Sequence, residues 1–297
     1  MGGTGGSDGR NRPSLPPGRH VMLPGRGRTF IRELVGPPDA RVLVLLHGWT
    51  ATADLNWFAC YAPLAERYRV IALDHRGHGR GIRSSEPFTL ERCTDDVAAL
   101  ARVLELPPFI PVGYSMGGPI AQLLWQRHPE LVDGMVLCAT SRTFTGSVRE
   151  RLLCGVATGT SFLADALPLA RITNVALDAW DQWRQRRGCP WWGFDDVARH
   201  DWEEIVEAGR ATLRFDSRPF VGQIDVPAAV VVTEGDDVVP VRRQLALAAS
   251  LRDATVHRVH GGHAVCTTTP ERFVPILHEA CASVAARRGA ARRLVAA

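Results

Sequence analysis

Gly113-Tyr114-Ser115-Met116-Gly117-Gly118 lies between an apolar run, Phe109–Val112, and a stretch of helical pattern, Met116–His128. A strand before and a helix after is the setting of a Gly-x-Ser-x-Gly nucleophile elbow. Small residues two positions to either side of the serine allow a tight, strained turn that lifts its hydroxyl clear of the backbone. The helix N-terminus also places positive potential beside the serine. The pattern alone is weak, since Gly and Ser are common turn residues, and the competing reading is an ordinary strand-to-helix turn.

Outward from this turn, short runs rich in Val, Leu and Ile alternate with helical patterns, which predicts a mostly parallel sheet with flanking helices, an α/β class fold. Arg41–Leu46, Val70–Leu73, Phe109–Val112, Met135–Ala139 and Ala228–Val232 read as central strands buried on both faces. His20–Leu23 and Thr29–Leu34 read as an N-terminal hairpin and Thr255–Val259 as the last strand. Helices are predicted over Asp54–Glu66, Leu90–Leu104, Met116–His128, Val241–Leu251 and Pro270–Ala286. From Ser141 to Pro219 the alternation stops, and five of the eight tryptophans fall there: Trp180, Trp183, Trp191, Trp192 and Trp202. A structureless loop of that length is improbable, so an inserted helical cap is expected.

A serine at its ordinary pKa needs a base, and the base needs an acid to orient it. The strand Ala228–Thr233 runs into Glu234-Gly235-Asp236-Asp237-Val238-Val239-Pro240, and the last strand runs into His260-Gly261-Gly262-His263-Ala264. Glu234, Asp236 and Asp237 are candidate acids, and His257, His260 and His263 candidate bases. Both loops follow strands, so they open on the same carboxyl edge of the sheet as Ser115.

Composition narrows the chemistry. The chain has 297 residues, 45% hydrophobic and 22% charged, enough for a sizeable core. All 35 basic residues are arginine, which excludes phosphate-loop lysine and Schiff-base chemistry. The net charge of +4 belongs to the ends: five arginines against Asp8 in residues 1–28 and four in 284–297 leave the body acidic. Nucleic acid is therefore not an expected partner. Seven dispersed cysteines without Cys-x-x-Cys spacing predict reduced thiols in a cytoplasmic protein. Neither a signal-peptide h-region nor a run of about 20 apolar residues is present, so membrane insertion is not expected. Oligomeric state is not legible.

With four blocks in order, Leu46-His47-Gly48-Trp49, Asp74-His75-Arg76-Gly77-His78-Gly79, the elbow, and the acid and histidine loops, the chain resembles cap-bearing α/β-hydrolases. That group includes small esterases, cofactor-free perhydrolases and carbon–carbon bond hydrolases. The resemblance implies a disordered tail over 1–19, a hydrolase core over 20–140 and 220–286, a helical lid over 141–219 and a basic tail over 287–297. It implies Asp236, four residues before Pro240, as the acid and His263, after a Gly-Gly pair, as the base. It further implies an oxyanion hole from the backbone N–H groups of Trp49 and Met116. The family histidine at His47 braces its loop. Arg80-Gly81 departs from the small hydroxyl residue frequent there, which leaves the local turn geometry open.

Ser115 at the elbow disfavours epoxide hydrolases and haloalkane dehalogenases, which carry aspartate. Met116 disfavours proline iminopeptidases, which carry tryptophan after the serine. The expected activity is hydrolysis of carboxylic esters of small to medium apolar acyl groups through an acyl-enzyme, with no metal or organic cofactor. Alternatives are carbon–carbon bond or thioester hydrolysis, perhydrolysis (hinted at by Trp49), and a receptor that keeps the pocket for sensing. His75, His78, His128 and His200 lack metal-ligand spacing and are expected to be locally bonded or solvated.

Overall fold

The strand Val42–Leu46 is buried at all five positions, and its residues divide by parity. Val42, Val44 and Leu46 join a cluster with Val97, Leu100, Ile120 and Leu124, whereas Leu43 and Leu45 join Trp57, Tyr61, Phe273 and Leu277 on the other face. Such a strand sits mid-sheet with helices on both sides. The computed structural model describes residues 13–145 and 193–296. Among them one sheet contains β1 (Gly18–Leu23), β2 (Gly27–Leu34), β3 (Val42–Leu46), β4 (Arg69–Leu73), β5 (Ile110–Tyr114), β6 (Met135–Cys138), β7 (Ala228–Thr233) and β8 (Ala254–Val259). The order is β1-β2-β4-β3-β5-β6-β7-β8. β1 pairs antiparallel with β2, and β2 with β4, while every other pairing is parallel. The predicted strands all fall on observed ones.

Helix boundaries differ by more than one residue in three places, one of them the helix Val241–Ala248, which stops short of the predicted Leu251. The stretch 54–66 forms two short helices, Ala53–Trp57 and Tyr61–Ala65, because the Cys60 amide turns to the Trp57 carbonyl, three residues back, and interrupts the ladder. The last helix, Pro270–Ala296, runs beyond the predicted end at 286. Arg287 and Arg288, read as the start of a basic tail, are tied to the body there. Arg288 Nε meets Asp133 at 2.8 Å, Arg287 Nη2 donates to the Ala228 carbonyl at 2.6 Å, and Arg287 also pairs with Asp253. β1 likewise starts at Gly18, inside the stretch expected as tail, whose residues 1–12 lie outside the described residues.

Arg80 turns inward. Its guanidinium reaches Asp74 at 3.1 Å and Asp54 at 2.9 Å and lies 3.5 Å above the Phe30 ring. With Arg32, which also grips Asp54, it joins the hairpin to the loop after β4. Trp180, Trp183, Trp191 and Trp192 of the expected cap lie outside the described residues. The described flanks of 141–219 come back together, with Thr143 bridged to Asp216, and carry the helices Gly193–Val197 and Trp202–Arg214. No described helix is long and apolar enough to cross a membrane.

Candidate active site

β5 ends at Tyr114, and the chain turns at once into the helix Gly117–Arg127. Ser115, at the turn, has φ of 51°, a left-handed conformation that costs roughly 1 kcal/mol or more for a residue with a Cβ. Glycines make the turn possible. A Cβ on Gly113 would lie 2.3 Å from the Gly117 carbonyl oxygen, and one on Gly117 would lie 2.1 Å from that of Leu46. The strained turn is held by Ser115 N–H donating to Cys138 O at 2.9 Å and by Thr140 Oγ1 donating to Ser115 O at 2.8 Å.

Of the candidate bases, His263 reaches the serine. Its Nε2 lies 3.0 Å from Ser115 Oγ and its Nδ1 lies 2.8 Å from Asp236 Oδ2. His257 is turned to Thr255 and Ser283, and His260 is 81% exposed beside Glu234. Among the acids, Asp236 is buried, while Glu234 pairs with Arg258 and Asp237 points to the surface. Asp236 Oδ1 accepts from the Val238 and Val239 amides at 2.9 and 2.7 Å, and Oδ2 accepts from Thr233 Oγ1 at 2.6 Å. Burial works against the charged carboxyl. The hydrogen bond and charge of His263, with Thr233 and the Val239 amide, outweigh it and hold Asp236 below its ordinary value.

Three supporting side chains carry no motif of their own. Gln244 is fully buried; its Oε1 accepts from Thr233 N at 3.0 Å and its Nε2 donates to Val239 O at 2.7 Å, bracing the acid loop. The Tyr114 hydroxyl donates to His263 O at 2.6 Å. Asn56 accepts from Gly48 N at 2.8 Å and donates to Cys266 Sγ at 3.1 Å, joining the loop after β3 to the histidine loop.

The loop after β3 carries Trp49, and the elbow carries Met116. Neither backbone N–H has an acceptor among the described residues, so both are available as donors. His47 sets the peptide that contains the Trp49 N–H. His75 N–H donates to His47 Nε2 at 2.9 Å, so the proton sits on Nδ1 and is donated to Gly48 O at 2.8 Å. In a planar trans peptide, a carbonyl held on one side turns the following N–H to the other. Gly48, Trp49, Leu55, Ser115, Val238 and His263 are among the residues that line a cavity of about 210 Å³. Among the described lining residues His263 is the one ionisable side chain besides Tyr114 and Cys266.

Behind this loop the rings of His47 and His75 are 4.4 Å apart, those of His47 and His78 5.2 Å, and those of His78 and His200 5.4 Å. Among the described residues no three such side chains are arranged to hold a metal ion. Burial, the main cause, pushes His200 down from 6.5 to about 4, and lowers the others too. A histidine that stays neutral in the fold but protonates when unfolded withdraws stability as pH falls through that window. For His200 alone, the drop from 6.5 to about 4 corresponds to about 3 kcal/mol. Urea unfolding at pH 7 and pH 4 is therefore expected to show a smaller pH difference in His200→Gln than in the parent. An unchanged difference would mean that His200 does not remain neutral.

Residues 41–270 match the alpha/beta hydrolase fold family. The chain is 31% identical over 263 residues to a pimeloyl-[acyl-carrier protein] methyl ester esterase of Chromobacterium violaceum, covering 84% of this chain and 96% of that one. It is 27% identical to a non-heme chloroperoxidase of Streptomyces lividans, covering 82% and 92% of the two chains. The crystal structure of a bromoperoxidase from Bacillus anthracis superposes with a TM-score of 0.73 at 18% identity, covering 88% of this chain and 98% of that one. Sheet order, elbow and matched length agree, and the chain belongs to the α/β-hydrolase family.

Proposed function

We propose that this hydrolase cleaves carboxylic esters of small to medium apolar acyl groups, with Ser115, His263 and Asp236 as its catalytic triad. The observation that carries the reading is the unbroken line Asp236–His263–Ser115, with contacts of 2.8 and 3.0 Å, at the wall of the 210 Å³ cavity. His263 Nε2 takes the proton as Ser115 Oγ attacks the carbonyl, and Asp236 stabilises the imidazolium that forms. The Trp49 and Met116 amides receive the oxyanion. His263 then protonates the leaving alcohol, and water, activated by the same histidine, releases the acyl group.

Among the described residues that line the cavity there is no Asp, Glu or Arg, which suits a neutral substrate. The stretch 141–219 is read as a helical cap over this opening, and the buried free thiols of Cys60, Cys93, Cys138, Cys266 and Cys281 fit a cytoplasmic setting. A series of 4-nitrophenyl esters from acetate to dodecanoate tests the reading. kcat/KM is expected to peak at short to medium length and to fall at least about tenfold by dodecanoate. A flat profile would refute the size selection, and no turnover of any ester would refute ester hydrolysis. The chloroperoxidase relative favours one added arm: hydrogen peroxide in place of water on the acyl-enzyme would release a peracid and regenerate the serine hydroxyl.

A further inference from the structure

Trp49 is 46% exposed, yet its indole is not loose. Nε1–H donates to the Ile205 carbonyl at 2.7 Å, across 156 residues of chain. Ile205 lies in the helix Trp202–Arg214, and its carbonyl is the one that helix geometry pairs with the amide of residue 209. Residue 209 is glycine and buried. A Cβ there would stand 2.6 Å from Cζ2 of Trp49, 3.0 Å from Cε2 and 3.2 Å from Cη2. The ring therefore lies flush against bare helix backbone and takes its hydrogen bond from the same turn.

Glycine inside a helix is destabilising by about 1 kcal/mol relative to alanine. Gly209 has ordinary helical backbone, and the closest atoms a methyl group would meet all belong to the Trp49 ring. The close approach of that ring accounts for a glycine here. The strain next door matters as well: Thr50, a residue with a branched Cβ, sits at φ of 58°. Such conformations persist where the surroundings over-determine them. Gly48 is held by Asn56 and His47, and Trp49 is held from the far side by the helix.

We infer that Gly209 is a positioning residue: its missing side chain lets the helix Trp202–Arg214 grip the Trp49 indole and so fixes the Trp49 amide at the oxyanion position. This rests on the ester hydrolase reading above. An oxyanion donor works only at about 2.7–3.1 Å from the developing charge, and a misplacement of about 1 Å can cost on the order of a hundredfold. Relieving a contact of 2.6 Å to an ordinary carbon separation demands a shift of about that size.

Kinetics with 4-nitrophenyl acetate, a substrate too small to feel a narrowed entrance, test this on the full chain. Gly209→Ala is expected to keep its melting temperature, since alanine favours the helix, and to lower kcat roughly 10- to 100-fold with KM within about threefold. Trp49→Phe keeps the backbone amide but shortens the ring, so in that background the same glycine substitution is expected to change kcat by less than about threefold. Wild-type kcat in Gly209→Ala, a loss confined to KM, or an equal loss in both backgrounds would overturn the inference. Should Gly209→Ala fail to fold, the comparison of Trp49→Phe with and without it still decides, because the shorter ring removes the clash. Ser115→Ala, run beside them, separates the two readings. If it retains turnover the serine mechanism itself fails; if it is inactive while Gly209→Ala is unimpaired, only the positioning role falls.

Discussion

Ser115→Ala is expected to fold as the parent does and to lose ester hydrolysis by on the order of 10³-fold or more. Folding survives because alanine keeps the Cβ that already tolerates φ of 51° at the elbow, and the backbone bonds to Cys138 and Thr140 do not involve the hydroxyl. Among the described residues the Oγ–H has one partner, His263 Nε2 at 3.0 Å, so its removal leaves no other buried group among them unsatisfied. Activity is lost because, among the described residues, His263 Nε2 has no hydroxyl or thiol partner besides Ser115 Oγ. The lining holds Thr50, Thr267 and Thr268, but Thr267 Oγ1 donates to Leu55 O and Thr268 Oγ1 to Ala264 O, and neither is bonded to His263. Burst kinetics and intact-protein mass after a slow ester would show an acyl adduct on the parent and none on the variant. A folded Ser115→Ala that retains parental turnover would remove Ser115 from the reaction.

The strands were legible because each carries its signal within five or six residues. A run such as VLVLL has nowhere to go but the middle of a sheet, and the eight strands lie on the predicted stretches. Ser115 was legible for the same reason, since strand, tight turn and helix are all local. The acid was not legible from local pattern alone. Glu234, Asp236 and Asp237 share one loop, and what separates them is which carboxylate meets Thr233, Gln244 and His263, the last of these 27 residues further on. The resemblance to a family supplied what local chemistry left open. Nothing in the sequence marks Asn56, whose partner Cys266 is 210 residues away, or Gly209, whose partner Trp49 belongs to another loop. Arg80 shows the opposite error. Read as a departure from a turn pattern, it proves to be an inward-facing cation shared by Asp54 and Asp74.

Asp236→Asn is expected to cost on the order of 10²- to 10⁴-fold in kcat/KM, and Asp237→Asn less than about twofold. The size of the first effect follows from the donors around the carboxylate. Two backbone N–H groups, of Val238 and Val239, point at Oδ1, so an asparagine at 236 must turn its carbonyl oxygen to that side. Its NH₂ then occupies the place of Oδ2 and faces His263 Nδ1 at 2.8 Å. Two N–H groups cannot share that contact. The imidazole is driven to present a bare Nδ1 and to move its proton to Nε2, which then points a hydrogen at Ser115 Oγ instead of a lone pair. The serine loses its base although every atom of the site remains in position. The lost charge adds to the effect, because the imidazolium formed during attack no longer has a carboxylate beside it. Asp237 is adjacent in sequence but exposed, and His263 does not reach it. Steady-state kinetics of both variants near neutral pH, with circular dichroism to establish folding, decide the matter. Comparable losses in the two, or the larger loss in Asp237→Asn, would show that the imidazole takes its orientation from a different carboxylate than Asp236.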